Sequence, residues 1–91
     1  MKLNIDYTIL PEHMREGAKR YIEQGIIPGR FLELIFLNDF VHAWCQADIV
    51  NRQNMEAYAK FLYWEAPNSC WGNEQRMKEW SEARQKEPYT S

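Results

Sequence analysis

His42 and Cys45 are three positions apart, a spacing that places an imidazole and a thiol on one helical face and suits two ligands of a zinc ion. Cys70 is a candidate third ligand and His13 a distant fourth. A second local pair of the CxxC or HxxxH type, which would complete such a site, is missing. Free cysteine is among the most often buried residue types, so two apolar thiols beside a buried or half-buried histidine are the expectation. A thiol nucleophile needs a base and an electropositive setting. Cys70 has no histidine near it in sequence, and Cys45 lies on a segment apolar enough to be buried. Glu33, Asp39, Glu56 and Glu65 offer carboxylates for acid–base work. Nothing in their spacing pairs them, and capping or solvated roles are expected. The glycines form neither GxGxxG nor GxxxxGK[ST], so no phosphate-cradling loop is indicated. No catalytic residue, metal site or cofactor is expected.

Binding chemistry is better represented. Pro28-Gly29-Arg30 delivers an arginine to a helix start, where anions are favoured, although an exposed arginine after a turn accounts for the same residues. Trp44, Tyr58, Tyr63, Trp64, Trp71 and Trp80 are too many large rings for the core of a 91-residue chain. Tyr63 and Trp64 are neighbours and point about 100° apart on a helix, so at least one reaches the surface. Exposed Trp and Tyr anchor protein interfaces, and they also stack on bases. Trp71 has a competing role, as part of a hydrophobic plug formed by "EAPNSCWG" under the helix ends. The formal net charge is −2, with 11 Lys and Arg against 13 Asp and Glu, and no basic run. That argues against nucleic acid as the partner. Residues 31–75 hold six acids and two bases, while the flanks are each at +1. A mildly acidic middle follows.

The elements that must position these residues read as helices. "PEHMREGAKRYIEQG" has Pro11 and Glu12 for a first turn and Gly25 where a left-handed C-terminal glycine belongs. Its buried stripe is Met14, Ala18, Tyr21 and Ile22. Glu16 and Arg20 form an i,i+4 pair, and Gly17 inside the helix points to a close helix contact. Pro28-Gly29 turns the chain. Eight of the eleven residues from Phe31 to Val41 are large and apolar, which predicts a central helix covered on several sides. Asn38 and Asp39 interrupt it. Asn38 suits the cap of a new helix, "DFVHAWCQA", so a break is expected there, with one continuous helix over 30–47 as the alternative. Residues 48–66 read as a third main helix, capped by Asp48, stopped by Pro67, and buried through Met55, Tyr58, Phe61 and Leu62. A last helix, "EQRMKEWSEARQK", capped by Asn73 or Ser69, buries Met77 and Trp80. Residues 1–10 read as an extended arm and 87–91 as a frayed tail. The expected fold is all-α: one domain, a compact bundle of four to five short helices. The apolar run is too short and too interrupted to span a membrane, and no secretory segment follows Met1. A chain with free thiols in a cytoplasm is the expectation.

Arg15-Glu16-Gly17, Tyr21, Gly25-Ile26, Pro28-Gly29-x-Phe31-Leu32, Asn38-Asp39, Ala47-Asp48, Asn51 and Glu65-Ala66-Pro67…Cys70-Trp71-Gly72 cover roughly residues 11 to 72. In these features the chain resembles a family of short proteins encoded by bacteriophages and prophages. It departs from that pattern at Arg30, where a small residue often follows Pro-Gly, and in its bulkier "LELIFL" run. The resemblance implies an accessory protein working in a bacterial host cell, and brings no activity or site with it. Two functions follow as expectations. One is a module that binds, and by binding inhibits, a host protein such as a defence component. The other is an oligomer that sequesters a small nucleotide signal, with Arg30 beside a stacking Trp71 at a subunit interface. Arg30, Asn38, Asp39, Tyr63, Trp64 and Trp71 are the candidate binding residues.

Overall fold

The computed structural model describes residues 5–88. Residues 1–4 of the expected arm and 89–91 of the expected frayed tail lie outside the described residues. Six α-helices and two 3-10 turns follow one another among the described residues, and no strand occurs there. The helices are α1 (Glu12–Gln24), α2 (Arg30–Phe36), α3 (Phe40–Gln46), α4 (Ile49–Gln53), α5 (Met55–Trp64) and α6 (Glu74–Lys86). The all-α class is as the sequence indicates. The count of four to five is too low, because the third main helix is split.

Asn54 makes that split. Its amide side chain donates to the Val50 carbonyl at 2.8 Å, the acceptor its own backbone N–H would take in a continuing helix. The backbone N–H turns instead to Asn51 O, three residues back. The expected arm also departs from extended geometry. Asp6 accepts from the Thr8 N–H and hydroxyl, which curls Tyr7–Ile9 into a 3-10 turn. Arg15 clamps that turn onto α1 through the Leu10 and Thr8 carbonyls, and the Tyr7 ring packs on Phe61.

The break near Asn38 is present, and its two polar residues divide the work. Asn38 takes the left-handed conformation, φ 64°, that ends α2. The Asn38 and Asp39 N–H groups return to the Ile35 and Leu34 carbonyls, the paired bonds of a Schellman closure. The cap of α3 is Asp39, one position later than expected, with its carboxylate accepting from His42 N. Gly25 ends α1 in the same left-handed region, φ 75°, and its carbonyl accepts from Ser81 Oγ and Gln85 Nε2 of α6.

The core is centred on α2, which buries Phe31, Leu32, Leu34, Ile35 and Phe36. Around it lie Ala18, Tyr21 and Ile22 of α1, Tyr58, Phe61 and Leu62 of α5, and Met77 and Trp80 of α6. Rings meet at Tyr21–Phe36 (4.6 Å) and, edge to face, at Phe31–Tyr58 (5.1 Å). Each such large buried side chain contributes roughly 1.5–3 kcal/mol of transfer free energy. The turn at Asn68–Cys70 closes one side. Cys70 carbonyl accepts from Tyr21 Oη at 2.6 Å, and Gly72 N–H donates to Phe36 O at 2.8 Å. The plug role suggested for "EAPNSCWG" is therefore the one this segment fills. The burial expected of the whole apolar run stops at Phe36: Val41 is 76% exposed.

Candidate functional site

Two short helices carry the most unusual surface. α3 buries only Ala43 and α4 buries only Asn51, the reverse of the pattern in which apolar residues face inward. The orientation of α4 has two local causes. Asp48 caps it by accepting from Asn51 N at 2.8 Å, and the Asn51 side chain accepts from the buried Tyr58 hydroxyl at 2.6 Å. Burial drives the Tyr58 phenol upward from its usual pKa, which keeps it protonated and donating. With Asn51 held inward, Ile49 and Val50 are left facing solvent, Ile49 at 72%.

On α3 the same outcome follows from spacing. Phe40, Val41, Trp44 and Cys45 fall at i, i+1, i+4 and i+5, an apolar strip wider than the one position, Ala43, that the core accepts. Together with Met55 they line an apolar groove of about 380 Å³. Trp44 is half exposed and held in place: the Arg52 guanidinium lies over its ring at 5.2 Å, and Arg52 Nε donates to the Trp44 carbonyl at 3.3 Å. A ring fixed before contact gives up little conformational freedom when a partner covers it.

Tyr63 and Trp64 form a second exposed group at the end of α5. Both are more than two-thirds exposed, with their rings edge to face at 4.7 Å. At about 150–250 Å² per aromatic residue they present roughly 200–350 Å² of ring surface. This pair is where the sequence placed it.

Of the other candidate residues, two shape the chain reversal between α2 and α3. Asn38 ends α2 and Asp39 starts α3. A hydrogen bond from the His42 ring, at 2.8 Å, holds the Asp39 carboxyl below its usual range. Trp71 is half-buried against the core, and its buried indole N–H has no partner among the described residues. Arg30 opens α2, largely exposed, and pairs with Glu33 at 3.0 Å, an exposed contact worth about 0–1 kcal/mol. Two clefts lined by Arg30 do not include Trp71.

Cys45 and His42 are exposed, contrary to the burial expected for α3. Cys70 is buried as expected, and desolvation pushes its thiol up to about 12, far from thiolate. Among the described residues no three His, Cys, Asp or Glu side chains gather as a metal site would require. The four carboxylates considered for acid–base work each have a separate local partner: Arg30 for Glu33, His42 for Asp39, Lys60 for Glu56, and the Asp6 N–H for Glu65. No helix among the described residues is long and apolar enough to cross a membrane.

Sequence reasoning passed over Val41, Ile49 and Val50. The Asp48 cap was legible and starts α4, but a cap does not say which side of a helix is covered; the Tyr58–Asn51 bond decides that. Comparison with family models, with curated proteins and with solved structures returns no match.

Proposed function

We propose that this chain is a protein-interaction module, an accessory protein of the phage type that binds and thereby inhibits a host protein in the bacterial cytoplasm. The observation that carries this reading is the outward apolar surface of α3 and α4, Val41, Trp44, Ile49 and Val50, around a tryptophan fixed by Arg52. Apolar groups facing water on two consecutive helices contribute little to the core, and an apolar groove beside them is the kind of surface a partner covers. Tyr63 and Trp64 add a second aromatic anchor of the sort that dominates interface energetics. Asp39 and Asp48 cap the two helices while Arg52 lies over Trp44, so charges of both signs border the apolar surface.

The test is a pull-down from host lysate with the parent and with Trp44→Ala/Ile49→Ser and Trp64→Ala variants that melt like it. One host protein retained by the parent and lost from the first variant, with the pair then reconstituted from purified components, is the expected result. Equal retention by all three would remove the surface from consideration. Native mass spectrometry of the purified chain separates this from self-association: a symmetric oligomer dissolved by Trp44→Ala would make the second copy the occupant.

A further inference from the structure

A cleft of about 450 Å³ opens between α1 and the loop leading to α2, a volume within the range of small-ligand sites. Its permanent cations are Arg20 from α1 and Arg30 from the start of α2, with the His13 ring beside them, against one lining carboxylate, Glu16. The expected Glu16–Arg20 pair does not form, and the Arg20 and His13 side chains have no hydrogen bond or ion pair among the described residues. Among the described residues Arg30 pairs with Glu33 in an exposed i,i+3 contact of the weakest class, which a better anion displaces, and its charge also reaches Asp39.

Gly17 supplies the second observation. It lies in the interior of α1, where glycine is unfavourable, and it faces this cleft. A Cβ built there would stand 3.5 Å from Leu32 Cδ2, an ordinary contact. Packing therefore leaves room for alanine, and a longer side chain would fill the cleft. The remaining surface is apolar, from Ile26, Ile27 and Phe31, with both isoleucines about half exposed.

We propose that this cleft binds a small phosphate monoester with an apolar or aromatic body. Arg20 and Arg30 clamp the phosphate, His13 adds a third donor, and Ile27 and Phe31 hold the body. A phosphate dianion presents enough oxygens to engage both arginine forks at once, whereas a carboxylate satisfies one. The site is separate from the α3–α4 surface and stands or falls independently of it.

The experiment is a ¹⁵N–¹H NMR titration of the full chain with phenyl phosphate, inorganic phosphate, benzyl alcohol and phenylacetate. Phenyl phosphate is expected to shift the Gly17 and Gly29 amides saturably, and each of the other three to bind on the order of tenfold more weakly or worse. Arg20→Gln and Arg30→Gln should each weaken phenyl phosphate by about tenfold. Gly17→Leu should abolish binding while the thermal melt confirms an intact fold. Shifts confined to Val41 and Trp44, phenylacetate as tight as phenyl phosphate, unchanged affinity in both arginine variants, or no saturable movement of Gly17 and Gly29 would each overturn the assignment.

Discussion

α2 and the α3–α4 pair follow one another, are short and each carry large apolar side chains, yet these meet water in opposite ways. α2 buries five of its seven residues. α3 and α4 bury one residue each, and for α4 that residue is an asparagine. Hydrophobicity cannot account for the difference, since Ile35 and Ile49 are the same side chain, 1% and 72% exposed respectively. The cause is how each helix is held. α2 packs against α1 and α3 and meets Tyr58 of α5 through Phe31, so all of it but the side bearing Arg30 and Glu33 finds a neighbour. α4 is turned by its Asp48 cap and by the Asn51–Tyr58 bond, and that orientation spends its inner face on a polar contact. Val41, Trp44 and Ile49 are therefore left in water, where they add little to the stability of the fold.

The sharpest way to break this comparison is the isoleucine pair. Ile35→Ala should cost about 2–5 kcal/mol, enough to unfold a marginal domain, and Phe31→Ala should act alike, whereas Ile49→Ala should stay within about 0.5 kcal/mol. Urea melts of the three variants decide it, and equal losses at positions 35 and 49 would refute the contrast.

Next in size is the polar contact itself. Tyr58→Phe leaves the buried Asn51 side chain without its donor and should cost about 1–3 kcal/mol. Adding Asn51→Leu should recover much of that loss, because removing both partners removes the unpaired group. A double variant as unstable as the sum of the singles would mean that the bond does more than orient α4.

Gly17→Ala should raise stability by up to about 1 kcal/mol, since the methyl group fits against Leu32 and the helix gains a better former. Thermal melting resolves that gain, and a loss would show α1 and α2 to be closer than the geometry indicates.

The smallest effect concerns acid. Asp39 has a folded-state pKa below its ordinary value of 3.8, chiefly from the His42 hydrogen bond. A lowered pKa contributes stability that is complete above the ordinary value and lost as pH falls through the folded one. Asp39→Asn, which keeps a capping oxygen, should flatten the melting profile below about pH 4 relative to the parent.

Much of the local structure was legible because its causes are local. Gly25, Asp48, Pro67 and Asn73 mark helix ends through groups within four residues of them, and each acts where its type says it should. The Asn38-Asp39 interruption was visible, but which residue stops α2 and which starts α3 depends on a left-handed backbone shared by Asn and Gly, and the assignment slipped by one. Asn54 was missed because a single amide in a helical pattern looks like any exposed polar residue until its side chain takes the Val50 carbonyl. At the candidate surface, Tyr63 and Trp64 were legible from adjacency alone. Val41, Ile49 and Val50 were not, since an apolar residue reads as core wherever it stands.

By itself, then, the sequence determined the all-α class, several of the helix ends and a central place for the apolar run that starts at Phe31, all of which follow from spacing and capping over one or two turns. Only the tertiary structure decided which apolar faces are covered. Tyr58 reaches back seven residues to Asn51, and Arg20 and Arg30 border one cleft because α1 and α2 fold against each other. Burial is a property of what arrives from elsewhere in the chain, and short-range preference carries no record of that arrival.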